Sequence, residues 1–236
     1  KNEKKLNKIN EKVFVKIVSP NFDLGYGLTK QQIEDRFKKL IRFSNPAKEK
    51  KTLFIWPEGV FSGYSYEEIY IFKQLITKNF SKNHIIIFGT NQLDLTSGNF
   101  YNSMLVVDNK FKIIESYNKR KLVPFGEFLP FENFLNKFGF KKITEGNGSF
   151  LKGNENKNLL INELNILPLI CYEVIFTHLI QKSNLNTNLI INISEDGWFG
   201  KSIGPDQHFA KSIFRAVESN TFFLRSANKG ISAIID

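Results

Sequence analysis

Three short stretches in this chain end an apolar, strand-like run with a group suited to acyl chemistry. Ile170-Cys171-Tyr172-Glu173 offers a thiol, Trp56-Pro57-Glu58 a carboxylate, and Asn118-Lys119-Arg120-Lys121 an amine. Cys171 is the only cysteine, so it forms no internal disulfide and serves either packing or chemistry. A thiol attacks a carbonyl as the thiolate, which needs a base for its proton and a positive field for its charge. A carboxylate and a lysine supply those two parts. Each residue alone also has a plain reading: Cys171 as core packing, Glu58 as a solvated turn carboxylate, Lys119 as part of a wet basic surface. Their joint occurrence favours chemistry, because functional groups in layered α/β folds gather where loops open beyond the carboxyl ends of strands.

The elements that must hold these groups follow from hydrophobic periodicity. Residues 13–19 form a β-branched run, and residues 20–29 a loop rich in Asn, Asp and Gly. Ile33, Phe37, Leu40 and Ile41 recur at helical spacing over residues 30–43, and Ile69, Phe72, Leu75 and Ile76 over residues 66–80. Strands are expected at 51–56, 84–89, 104–107 and 111–116, the last two joined by a turn at Asp108-Asn109. Further strands are expected at 159–161, 166–170, 189–193, 221–225 and 231–235, with a helix over 174–181. Pro205 marks a helix start, and Phe209, Ile213, Phe214 and Val217 read as the buried stripe of that helix. Helices alternating with hairpin-linked strands argue for an α/β domain with mixed sheets covered by helices.

Composition narrows the function. At 236 residues the chain can bury one substantial core. A net charge of +10 invites a nucleic-acid reading, but lysine is scattered through every segment and arginine is confined to Arg36, Arg42, Arg120, Arg215 and Arg225. A basic surface near anionic lipid headgroups is the version of that reading that survives. No GxGxxG or GxxxxGK[ST] loop occurs, and His84, His178 and His208 lack metal-ligand spacing, so neither a nucleotide, a metal nor another cofactor is expected. Residues 1–12 read as a polar linker or frayed end, and residues 13–236 as one catalytic domain that stops short of its natural C-terminus, an excised piece of a longer protein.

The motifs together resemble the carbon–nitrogen hydrolase (nitrilase) superfamily, and within it the apolipoprotein N-acyltransferase branch. The matching stretches are WPE at 56–58, YNKRKLVPFGEFLP at 117–130, ICYEVIF at 170–176, NISEDGWFG at 192–200, GPDQHFAKSIFRAVES at 204–219 and RSANKGISAII at 225–235. The resemblance implies a layered α-β-β-α sandwich and a catalytic Glu58–Lys119–Cys171 triad, with Glu127, Tyr172 and Glu173 at accessory active-site positions. Three departures stand out. Residues 20–29 lack the Trp usual in that loop, with Tyr26 the nearest stand-in. Ser194-Glu195-Asp196-Gly197 replaces a Ser-Asn-Asp-Ala, and Gly59 follows WPE where Ala or a small hydroxyl residue is common.

What the resemblance implies for mechanism is a ping-pong acyl transfer. Glu58 accepts the thiol proton, Cys171 forms a thioester, and Lys119 with a backbone N–H near Cys171 stabilises the oxyanion. The donor is a membrane phospholipid and the acceptor the amine of a diacylglyceryl-cysteine lipoprotein, on the periplasmic face of the bacterial inner membrane. The aromatic insert at 124–150, with Phe134 and Phe138, reads either as a lipid-facing arm or as a short helix packed on the core. Trp198 walls the acyl pocket or packs in the core. A soluble amidase using water as acceptor, and a catalytically silent binding domain of the same fold, are the competing readings.

Overall fold

The computed structural model describes residues 13–130, 149–154, 157–181 and 187–236. Among them the strands form two five-stranded mixed sheets. The first contains β1 (Phe14–Ile17), β2 (Thr52–Ile55), β3 (His84–Leu93), β4 (Phe100–Val107) and β5 (Ile113–Asn118), in that order. β1, β2 and β3 run parallel, and β4 and β5 follow as antiparallel neighbours. The second contains β6 (Leu159–Ile161), β7 (Leu164–Ile170), β8 (Leu189–Glu195), β9 (Phe222–Asn228) and β10 (Ala233–Ile235), ordered β10-β9-β8-β7-β6. Here β7, β8 and β9 are parallel, flanked by an antiparallel strand on each edge.

The central strands of both sheets are buried on two faces, so β2 and the first part of β8 are continuous apolar runs. From β2, Leu53 and Ile55 point between the sheets, where they join Ile87, Met104, Val106, Ile166, Ile170, Ile191 and Leu224. Phe54 and Trp56 point the other way, into an aromatic layer with Phe37, Phe61, Phe88 and Phe111, in which Phe37 and Phe61 stack at 4.3 Å. Burying each such ring contributes roughly 2–3 kcal/mol. That layer is closed by α1 (Lys30–Ser44), α2 (Tyr66–Ile69) and α3 (Lys73–Asn79). On the far side, Leu167, Leu169, Ile190 and Phe223 pack under α4 (Thr177–Gln181) and α5 (Gly204–Ser219). The result is the expected α-β-β-α sandwich.

Local signals account for the boundaries. Thr29 and Gln32 form a reciprocal capping box at the start of α1, and Asn45 ends it in the left-handed conformation. The stretch expected as one helix over 66–80 is instead broken by a 3-10 turn at Tyr70–Phe72. The helix expected over 174–181 is split between a 3-10 turn, Cys171–Ile175, and the shorter α4.

The largest correction falls on α5. Its buried residues are His208, Ser212, Arg215 and Ala216, whereas Ile213, Phe214 and Val217 are exposed. The apolar line of this helix is rotated about 100° from the line that faces the sheet. A buried polar network, described below, claims the inward face and outranks the hydrophobic pattern.

Candidate active site

The parallel strands of both sheets end at the same side of the sandwich, and that is where the chemistry-bearing residues stand. Glu58 follows β2, Lys119 follows β5, Cys171 follows β7, and Glu195 and Asn228 are the last residues of β8 and β9. Glu58, Lys119, Glu127, Cys171, Tyr172 and Trp198 all line one cavity of about 680 Å³.

Lys119 sits between two carboxylates and is 1 % exposed. Its Nζ donates to Glu127 Oε1 at 2.8 Å and to Glu58 Oε1 at 3.2 Å. Burial works against the ammonium charge, but the Glu127 and Glu58 carboxylates outweigh it and hold Lys119 well above its ordinary value. It is therefore a fixed cation. Asn102 on β4 braces the same cluster, its Nδ2 donating to Glu58 Oε1 at 2.7 Å and Glu127 Oε1 at 2.6 Å. The second oxygen of Glu58 accepts the backbone N–H of Glu195 at 3.0 Å, and that of Glu127 accepts the N–H of Val123 at 2.9 Å.

Cys171 opens its 3-10 turn with φ = +47°, a left-handed conformation that costs an L-residue about 1–2 kcal/mol. The turn is pinned by Glu173, which is fully buried and does not line the cavity. Its carboxylate accepts the N–H of Ile170 at 2.9 Å, of Arg120 at 2.7 Å and of Lys121 at 3.0 Å, and the Tyr117 hydroxyl at 2.9 Å. One side chain thus ties the loop bearing Lys119 to the loop bearing Cys171. Burial pushes the Cys171 thiol well up, and the Glu58 charge adds to this, while the Lys119 charge acts in the opposite direction. The resting sulfur carries its proton, so attack requires a base in the same cavity.

Behind Cys171 lies the network that turns α5 inward. Arg225 is fully buried and pairs with both oxygens of Asp196 at 2.9 and 2.7 Å. Arg225 also bonds Asn192, and Asp196 accepts from the Ser194 hydroxyl at 2.7 Å. Burial acts to raise the Asp196 carboxyl, but the His208 bond and the Arg225 charge prevail and hold it below its ordinary value. His208 links this network to the site, with Nδ1 2.9 Å from Asp196 Oδ1 and Nε2 3.1 Å from the Cys171 carbonyl oxygen.

Aromatic side chains supply much of the remaining lining, among them Tyr26, Phe61, Phe100, Phe150, Trp198 and Phe199, alongside the polar Ser62, Ser65, Glu68, Thr90 and Asn91. Trp198 is half-exposed, and its ring lies 5.9 Å from that of Tyr26. Tyr172 packs edge-on against Phe176 at 5.1 Å. Phe134 and Phe138 lie outside the described residues, as does most of the aromatic insert. Its two ends, including Pro124, Gly126 and Phe150, line the cavity. Among the described residues no group of His, Cys, Asp and Glu is arranged to hold a metal ion, and no helix is long and apolar enough to cross a membrane.

Asn102, Glu195, His208, Arg225 and Asn228 were not singled out by sequence reasoning as site residues. His208 looked isolated because its partners Asp196 and Cys171 are 12 and 37 residues away along the chain. The only signal was their membership of the quoted motifs, and Asn102 carried none.

Comparison with known proteins places this geometry. The family model described as carbon–nitrogen hydrolase matches residues 20–236. The apolipoprotein N-acyltransferase of Rhodopseudomonas palustris is 35 % identical over 96 % of this chain and 44 % of its own length. The chain spans less than half the length of the curated relatives that match it. A carbon–nitrogen hydrolase superfamily protein of Xanthomonas campestris superposes with a TM-score of 0.64 at 16 % identity, covering 94 % of this chain and 82 % of that one. An amidase from Nesterenkonia sp. gives 0.59 at 14 % identity, covering 92 % and 75 %. The chain belongs to the carbon–nitrogen hydrolase family.

Proposed function

We propose that residues 13–236 are the catalytic domain of a bacterial acyltransferase. The enzyme moves a fatty acyl chain from a membrane phospholipid to the N-terminal amine of a diacylglyceryl-cysteine lipoprotein. The observation that carries the reading is an acid, a fixed ammonium and a thiol, each beyond a different strand end, lining one apolar cavity. Relatives at 31–40 % identity carry the name apolipoprotein N-acyltransferase, which favours this reading over amidase hydrolysis.

Glu58 takes the proton of Cys171 as the sulfur adds to the donor ester carbonyl. Lys119 and a backbone N–H beside Cys171 hold the oxyanion. The alkoxide leaves with the proton from Glu58, and the acyl group stays as a thioester. The acceptor amine then attacks the thioester, Glu58 takes its proton and returns it to the departing sulfur, and the amide is released. Glu127 and Asn102 hold Lys119 and Glu58 in place, and Glu173 and Tyr172 flank the nucleophile. The aromatic lining, with Trp198 at the exposed end and Phe134 and Phe138 of the insert as lipid contacts, excludes water that would hydrolyse the thioester. The full-length enzyme sits in the inner membrane with this domain facing the periplasm.

The test uses the full-length protein in detergent with a phospholipid carrying a labelled acyl chain. Mass spectrometry is expected to find the acyl group on Cys171, lost on adding a diacylglyceryl-cysteinyl peptide, which gains it as an amide. Cys171→Ala should give no adduct. Release of free fatty acid without transfer, or turnover of a small amide in preference, would overturn the reading in favour of a hydrolase.

A further inference from the structure

We propose that His208 is a positioning residue that aims the oxyanion-binding peptide of this site. The inference rests on the acyl-transfer reading, because it concerns the oxyanion formed when Cys171 attacks an ester.

The carbonyl of Cys171 and the N–H of Tyr172 belong to one rigid trans peptide, so they point in opposite directions. Whatever holds the carbonyl therefore sets the direction of the N–H. His208 holds it, with Nε2 at 3.1 Å. A carbonyl oxygen only accepts, so Nε2 carries a proton. The opposite ring nitrogen faces an acceptor, Asp196 Oδ1 at 2.9 Å, and a donor, Arg225 Nη2 at 3.1 Å. Paired with Asp196 the ring is an imidazolium; paired with Arg225 it is the neutral Nε2–H tautomer. The bond to Cys171 exists in both forms.

The bond matters because Cys171 occupies the left-handed region, where an L-residue has no intrinsic preference to remain. His208 is buried and packs edge-on against Phe199 at 5.5 Å, so the ring itself cannot swing away. Tyr172 and Cys171 both line the cavity. As Sγ bonds to the ester carbon, the carbonyl π pair moves onto oxygen. That oxygen is met by the Tyr172 N–H and the Lys119 ammonium. Without His208 the peptide can rotate and the N–H loses its aim.

The experiment compares two reactions of Cys171 in the full-length protein. Iodoacetamide displaces iodide at a saturated carbon and develops no oxyanion, whereas a p-nitrophenyl acyl ester forms one before releasing p-nitrophenol. Both rates are measured on the folded fraction isolated by size exclusion, because an unfolded chain exposes the thiol to alkylation and would lower the ratio by itself. His208→Phe is expected to lower acylation about tenfold or more relative to alkylation, since a lost oxyanion donor costs about 10²–10³ and a misaimed one somewhat less. His208→Gln keeps an N–H donor and should recover most of the ratio. An unchanged ratio in His208→Phe, or no recovery in His208→Gln, overturns the inference while leaving the acyl-transfer reading intact. A native protein that is alkylated but never acylated overturns that reading and the inference with it.

Discussion

Gly59 and Glu195 share one small space. A Cβ on Gly59 would stand 2.6 Å from Glu195 Oε2, and Gly59 itself has φ = +74°. From the other side, a Cβ on Gly197 would stand 2.7 Å from Glu195 Oε1. The two glycines therefore form a slot for a carboxylate, whose oxygens accept from Asn228 at 2.7 Å and from the Gly197 N–H at 2.9 Å. Gly59, Glu195 and Gly197 are three of the positions at which the sequence departs from the pattern it resembles. Geometrically they are a single change, a longer acidic side chain admitted where two Cβ atoms would otherwise sit.

Gly59→Ala is accordingly expected to destabilise the protein by about 2–3 kcal/mol, combining the positive φ with the clash. In a Glu195→Ala background the 2.6 Å clash is gone and only a tight 3.2 Å contact with the residue 195 Cβ remains, so the cost should fall to roughly 1–2 kcal/mol. Urea unfolding of the four proteins of this cycle measures the difference. Additive effects would show that the slot is not shared.

Glu195 also makes stability depend on pH. Burial pushes its carboxyl up to about 8, with the Glu58 and Asp196 charges adding and the Asn228 and Gly197 bonds opposing. A carboxyl raised in the folded state binds more protons there than in the unfolded chain. Its contribution is therefore complete below the ordinary carboxylate range and is lost as pH rises toward 8. Between pH 5 and 8 the native protein should lose about 3 kcal/mol more stability than Glu195→Gln does, measured by urea unfolding across that range. Parallel curves for the two proteins would exclude Glu195 as the source.

The layers were legible in the sequence because α1, β2 and β7 carry clean apolar periodicity, and Ile33, Phe37, Leu40 and Ile41 are all buried as their spacing demanded. The three chemistry-bearing groups were legible because each directly follows such a run. What periodicity cannot carry is polar burial. His208 and Ser212 face inward onto Asp196 and Arg225, while Arg215 reaches Thr177 Oγ1, and no spacing rule announces that. Phe214→Ser and Val217→Ser should each change stability by less than about 0.5 kcal/mol, as expected for exposed positions, when followed by thermal unfolding. Losses of about 2 kcal/mol or more would restore the buried stripe that the sequence suggested.

The polar network carries the opposite expectation. Asp196→Asn leaves the fully buried Arg225 guanidinium without its carboxylate. Removing one partner of a buried pair costs about 3–5 kcal/mol, far more than the pair itself contributes. Denaturant unfolding should show that loss. Arg225→Met together with Asp196→Asn should recover part of it, because the stranded charge is then gone.

Glu173→Gln tests how the two catalytic loops are held together. A carboxylate has only acceptors to offer, and every contact described for Glu173 is with a donor: the N–H groups of Ile170, Arg120 and Lys121, and the Tyr117 hydroxyl. A glutamine must turn an amide NH₂ toward one of those sets. Turned toward the Ile170 side it pushes on the cysteine turn, and turned toward the Arg120 side it pushes on the lysine loop. Either choice sets a donor against a donor in a fully buried place, at a cost of roughly 2–4 kcal/mol. Tyr117→Phe, which removes one hydroxyl and no charge, should cost only about 1 kcal/mol. Since Lys119 and Cys171 move relative to one another, the rate of Cys171 alkylation by iodoacetamide should also fall in Glu173→Gln, and less in Tyr117→Phe. A Glu173→Gln protein that melts and alkylates like the native chain would mean that the loops keep their registration without the carboxylate.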